Sequence, residues 1–132
     1  MKCQGVLVRC MDYRLWLATL LLQFWLTIRY RGSFDLVSIA GGGGNWTKIT
    51  PDLKLAVTKH RVRVIIVTGH EDCGAGVKRG DLATGAWQLQ AQARINSWPV
   101  RIEAYWFKRH LTWGGLTFWW WPQRVWFVAW GS

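Results

Sequence analysis

Three short apolar runs in this chain each stop at a cluster of residues that a strand does not need. Gly5-Val6-Leu7-Val8-Arg9-Cys10 stops at Met11-Asp12-Tyr13-Arg14. Phe34 to Ala40 stops at Gly41-Gly42-Gly43-Gly44-Asn45. Val62 to Thr68 (VRVIIVT) stops at Gly69-His70-Glu71-Asp72-Cys73-Gly74. Short runs rich in β-branched residues read as strands, and the third, apolar on both faces, reads as a central one. Helical segments separate them: Leu15 to Tyr30, then a stretch from Thr50-Pro51-Asp52 to about His60. Thr50 as the capping hydroxyl and Pro51 at the first helical position mark the second start. After the third run, Asp81 to Asn96 reads as a helix weakened by Gly85 and stopped by Trp98-Pro99, and Val100 to Phe107 as a fourth strand.

This alternation predicts an α/β fold: three layers, with a mostly parallel central sheet of about four to five strands flanked by helices. Sites in such sheets lie beyond the carboxyl ends of the strands, near a switch in strand order. All three clusters fall at strand ends.

At 132 residues the chain reads as a single domain, 1–132, with an aromatic C-terminal extension over 116–132. That extension contains Trp119-Trp120-Trp121 and then Pro122. It predicts either a hairpin turning at the proline or a strand plus an arm. Over Val125 to Trp130 both faces of a strand would be apolar.

The first helix is apolar nearly all round, where a surface helix needs a polar face. A partner subunit is therefore expected to cover it, giving a homodimer or a higher homo-oligomer. The chain is tryptophan-rich, with twelve, and several stand where a polar residue would be expected. Aromatic patches of this kind mark interfaces, which extends the expectation to a higher oligomer of natural or engineered origin. The apolar run from Leu15 to Ile28 is shorter than the roughly 20 residues a bilayer requires, so no membrane span or signal peptide is expected and the location reads as cytoplasmic.

The formal charge of +10 reflects scarce acids, only seven in all. Three of them, Asp12, Glu71 and Asp72, lie inside the clusters. Basic charge with tryptophan suits nucleic acid, but the Lys and Arg residues are scattered and the tryptophans lie in apolar strings, which argues against it. The glycine run lacks the Lys-Ser/Thr of a phosphate loop. His60 and His110 are candidate proton shuttles, or surface and helix-end histidines.

The chemistry concentrates in Cys10, Asp12, Arg14, His70 and Cys73. Two thiolates and one imidazole make a three-ligand set for zinc, with a fourth position open to water or a carboxylate. Cys10 and Cys73 could instead form a disulfide, but His70 beside them favours metal. The odd third cysteine, Cys3, reads as a small apolar residue at a strand start. On extended chain Cys10, Asp12 and Arg14 point the same way, bringing Asp12 to the metal and Arg14 to Asp12. An Arg-held carboxylate stays ionised and off the metal. Zinc lowers the pKa of bound water to about 7, giving a hydroxide that Asp12 can orient.

These pieces resemble the β-class carbonic anhydrases. Cys10-x-Asp12-x-Arg14 and His70-x-x-Cys73-Gly74 match that family's two motifs, and Ser38-Ile39-Ala40-Gly41-Gly42 with Asn45 looks like its Ala-Gly-Asn segment, loosened by extra glycines. The phrase His-Glu-Asp-Cys-Gly-Ala looks closest to small bacterial carbonic-anhydrase-like proteins. The resemblance covers roughly residues 5 to 107, and Tyr13 departs from the small residue usual between Asp and Arg. It implies a zinc lyase, an obligate dimer, that hydrates carbon dioxide reversibly to bicarbonate. Cys10, His70 and Cys73 would be the ligands and Asp12 and Arg14 the catalytic dyad, with Gly41, Gly42 and Gly74 lining the site. The alternative is a self-assembling or interaction protein on the same scaffold, with a structural, inactive zinc.

Overall fold

A computed structural model describes residues 2–71, 73–110, 112–113, 116–117 and 119–126. β1 (Cys3–Cys10) leads through a 3-10 turn at Tyr13–Leu15 into α1 (Trp16–Tyr30). β2 (Ser33–Ile39) follows, then a 3-10 turn at Gly42–Asn45 that runs straight into α2 (Trp46–Leu55). A π turn, Ala56–His60, completes that helix before β3 (Val64–His70). α3 (Arg79–Ile95) and β4 (Arg101–Arg109) come next. A two-stranded ribbon of β5 (Thr112–Trp113) and β6 (Leu116–Thr117) then precedes β7 (Trp120–Val125).

The main sheet has five strands in the order β2-β1-β3-β4-β7. The first four are parallel and β7 is antiparallel to β4. The α/β expectation and the mostly parallel sheet are thus met. From β1 the chain steps to β2 on one side and then crosses to β3 on the other. The switch in strand order therefore lies between β1 and β3, the two strands that end in the cysteine and histidine motifs.

Alternation along the strands sorts the core into two layers. Val6, Val8, Ile65 and Val67 face α2 and α3, packing with Ile49, Leu53, Leu82 and Leu89. Leu7, Val64 and Ile66 face α1, packing with Leu15, Leu22 and Leu26. Each fully buried leucine contributes roughly 1.5–3 kcal/mol, so the inner face of α1 is held firmly. Its outer face is apolar and exposed at Trp16, Leu20, Phe24 and Ile28. No helix among the described residues is long and apolar enough to cross a membrane.

Under α1 lies a fully buried carboxylate, Glu103. It accepts from Arg124 Nη1 at 2.9 Å and pairs with Arg101 Nε at 3.1 Å and Arg29 Nη1 at 3.4 Å, and the Tyr30 and Tyr105 hydroxyls also donate to it. A buried charge costs several kcal/mol unless so compensated. The arrangement ties α1, β4 and β7 together.

Three local expectations are corrected. Thr50-Pro51 does not start α2; the helix begins at Trp46, because the glycine turn already supplies its first curvature, and Pro51 lies inside it. Pro51 has no N–H for the Thr47 carbonyl, while the Thr50 hydroxyl donates to the Trp46 carbonyl at 2.7 Å. Pro122 is not a turn residue. It sits in β7 opposite Phe107, where an edge strand tolerates a missing donor. Gly85 does more than weaken α3: a Cβ there would lie 2.4 Å from the Gly43 carbonyl oxygen, so the glycine lets the helix touch the turn. The expected two-faced strand over Val125 to Trp130 lies, beyond Trp126, outside the described residues.

Candidate metal centre

β1 and β3 deliver the three candidate ligands to one point at the switch in strand order. Cys10 is the last residue of β1 and is buried; His70 is the last of β3 and is fully buried. Cys73 follows three residues later and is half-buried. The ligand atoms of Cys10, His70 and Cys73 all lie within 4.8 Å of one another. The two sulfurs are 3.9 Å apart and both thiols are free. Two thiolates bound about 2.3 Å from one tetrahedral zinc would stand about 3.8 Å apart. That spacing suits a shared metal and not a disulfide.

The His70 tautomer is fixed by its neighbour. Nδ1 is 2.7 Å from the Glu71 carbonyl oxygen, which can only accept, so Nδ1 carries the proton. Nε2 is then a bare lone pair. It is buried and has no hydrogen-bond partner among the described residues, an arrangement that is costly for a polar atom unless a ligand completes it. A carbonyl orienting the far nitrogen is also how metal-binding histidines are commonly held. The residues present fit a zinc ion.

Asp12 and Arg14 meet, but not along extended chain as expected. The backbone turns into the 3-10 segment at Tyr13, and the Arg14 N–H donates to Asp12 Oδ1 at 2.9 Å. An aspartate that caps its own turn brings residue i+2 back over itself. Arg14 Nη2 reaches Oδ2 at 2.6 Å and Nε reaches Oδ1 at 3.0 Å. The Arg14 hydrogen bonds hold the Asp12 carboxyl below the usual carboxylate range, against a smaller opposing effect of burial. Oδ2 lies 3.8 Å from His70 Nε2, beside the ligand cluster and outside it.

An open cavity of about 680 Å³ faces this group, lined by Cys10, Met11, Asp12, Arg14, Ala40 and Gly74, with Ala75. Gly74 is therefore at the cavity wall. Gly41 and Gly42 sit behind it, both with left-handed φ, of 84° and 53°. A Cβ on Gly42 would come within 2.4 Å of the Thr68 carbonyl oxygen and 3.0 Å of the Cys10 nitrogen. Gly42 thus lets the turn pack directly on the two strand ends that carry ligands. The Asn45 side-chain amide closes the turn by donating to the Ala40 carbonyl.

One site residue was not foreseen. Trp120, on the inward face of β7, is buried; its ring meets the His70 ring edge-to-face at 5.4 Å and lies 5.6 Å from the Arg14 guanidinium carbon. It packs one side of the ligand and stacks under the arginine that holds Asp12. Inside a run of three tryptophans, nothing in the sequence singles out the middle one until the register of β7 is known. His60 is far from the centre, paired with Asp35. Asp72 lies outside the described residues.

No protein-family model and no curated protein matches the chain. Among solved structures, a carbonic anhydrase from Glaciozyma antarctica is similar in fold, with a TM-score of 0.54 and 18% identity, over 79% of this chain and 75% of that one. The likeness establishes a carbonic-anhydrase-like architecture.

Proposed function

We propose that the chain is a zinc-dependent carbonic anhydrase of the β-class type, converting carbon dioxide and water to bicarbonate and a proton. The observation that carries this is the combination at the strand switch: two thiols and an unpartnered buried imidazole nitrogen around one point, with a carboxylate held beside them by an arginine. The fold likeness to a carbonic anhydrase supports the same reading.

Cys10, His70 and Cys73 would hold the ion. When bound, zinc supplies the Lewis acidity that yields a nucleophile from water near neutral pH. The chain's own residues do the rest. Arg14 occupies both Asp12 oxygens, so the carboxylate stays ionised and is kept from becoming a fourth ligand. Asp12 Oδ2, next to the ligand cluster, accepts a hydrogen bond in the cavity and orients the nucleophile's lone pair toward the substrate. The Glu71 carbonyl holds the His70 proton on Nδ1. The cavity is open, with the exposed Met11, Gly74 and Ala75 on its wall, which suits entry of a small neutral substrate.

A second reading is favoured by the exposed apolar face of α1. There, a homodimer or larger assembly buries Trp16, Leu20, Phe24 and Ile28, and zinc is structural. The two readings part at Asp12→Ala. In the enzyme, zinc content and folding persist while carbon dioxide hydration, followed by stopped-flow, falls by about 10²-fold or more, the scale of a lost positioning group. A wild type that holds zinc and shows no turnover favours the structural reading, and an Asp12→Ala protein with undiminished turnover refutes the role given to Asp12.

A further inference from the structure

A second cluster of metal-ligating side chains lies at the other end of the sheet. Cys3 opens β1, Asp35 sits in β2 opposite Val6, and His60 ends the π turn after α2. The sulfur of Cys3, a carboxylate oxygen of Asp35 and a ring nitrogen of His60 all lie within 4.8 Å of one another. The cluster is distinct from the first centre: Cys3 and Cys10 are seven residues apart along one strand, about 23 Å.

Three features separate it from a chance meeting of polar side chains. His60 Nδ1 and Asp35 Oδ2 are 2.5 Å apart, so the imidazole and the carboxylate already face one another. The ligands come from three separate elements, and His60 is carried by a π turn, a widened helical turn that often occurs at functional sites. An open pocket of about 360 Å³, lined in part by Asp35, Asp52 and His60, adjoins the cluster, giving an ion a way in and room for water as a further ligand.

We propose that Cys3, Asp35 and His60 form a second metal site for a borderline-soft divalent cation, zinc or cobalt(II). One thiolate, one imidazole and one carboxylate match that class and not magnesium or calcium, which take all-oxygen shells. Nδ1 and Oδ2 must open from 2.5 Å to about 3.3 Å, the edge of a tetrahedron with bonds near 2.0 Å. His60 and Asp35 are partly exposed, so a small side-chain rotation suffices. The ion would clamp the end of α2 to the starts of β1 and β2.

The test is zinc stoichiometry of the full chain, stripped, reloaded with excess zinc, desalted and assayed for metal. The expected result is two zinc ions per wild-type chain, one in His60→Ala, one in Cys3→Ser and one in Cys73→Ser. Cobalt(II) loading of Cys73→Ser should leave a thiolate-to-cobalt absorption that Cys3→Ser/Cys73→Ser lacks. A wild type that binds a single zinc, lost in Cys73→Ser and kept in His60→Ala, overturns this proposal and leaves the first centre standing. Two zinc ions that persist in both His60→Ala and Cys3→Ser also overturn it. A single zinc lost in His60→Ala but kept in Cys73→Ser supports this site and refutes the first.

Discussion

Gly42→Ala tests whether the glycine turn braces the ligand strands. The residue has φ of 53°, a left-handed conformation that costs an L side chain roughly 1–2 kcal/mol. Its new Cβ would stand 2.4 Å from the Thr68 carbonyl oxygen, 3.0 Å from the Cys10 nitrogen and 3.3 Å from the Arg9 carbonyl carbon. All three are backbone atoms, so no side chain can swing away. Relief requires moving the turn or the ends of β1 and β3 by several tenths of an ångström or more, an overpacking that typically costs about 1–3 kcal/mol. The two effects together predict a loss of about 2–5 kcal/mol in unfolding free energy. Because the displaced strand ends carry Cys10 and His70, zinc affinity should fall as well. Urea unfolding of metal-free protein reads the first effect, as a lower midpoint at unchanged slope, and competition with a chromophoric chelator reads the second. Gly74→Ala is the control: it lies on the same cavity, with ordinary φ and, among the described residues, nothing within 4 Å of its Cβ position. It should stay within about 0.5 kcal/mol of wild type, like a surface change. A Gly42→Ala protein as stable as Gly74→Ala, with unaltered zinc affinity, would refute the reasoning.

Other consequences follow from the same geometry. Arg14→Gln should change stability by no more than about 1 kcal/mol, since the ion pair is partly exposed, yet it should lower hydration turnover on the order of 10²-fold while zinc content holds. Trp120→Ala removes a buried ring from against His70 and should cost about 3–5 kcal/mol in urea unfolding. The Asp12 carboxyl is held below its ordinary value by Arg14, so its contribution to stability is complete above the unfolded value of about 3.9 and is lost as pH falls through the lower folded value. Unfolding free energy measured against pH should therefore fall more steeply on the acid side for wild type than for Asp12→Asn.

Much of this fold was legible because its signals are local. The apolar runs around Val6, Val37 and Ile66 mark β1, β2 and β3, and each stops where a motif begins, so the sequence alone places Cys10, His70 and Cys73 at or just beyond strand ends. What escaped depended on how distant segments meet. The alternation of extended chain predicts the Asp12–Arg14 pair, whereas a side-chain-capped turn makes it. Thr50-Pro51 carries the local signature of a helix start, whereas the glycine turn that leads into α2 at Trp46 carries none of its own. Gly85 looked like a weak point until Gly43 was found against it. Trp120 is distinguished from Trp119 and Trp121 only by the register of β7 against β4. Cys3, Asp35 and His60 stand far apart in sequence, at spacings that carry no metal signature, and the parallel pairing of β1 with β2 and the packing of the π turn against β1 bring them together.

The most direct test of the central claim is stopped-flow hydration of carbon dioxide by the zinc-loaded chain, alongside Cys73→Ser treated identically. The account predicts turnover well above the buffer rate for the wild type and none above it for the variant. A wild type that holds zinc through Cys10, His70 and Cys73 and shows no turnover would contradict it.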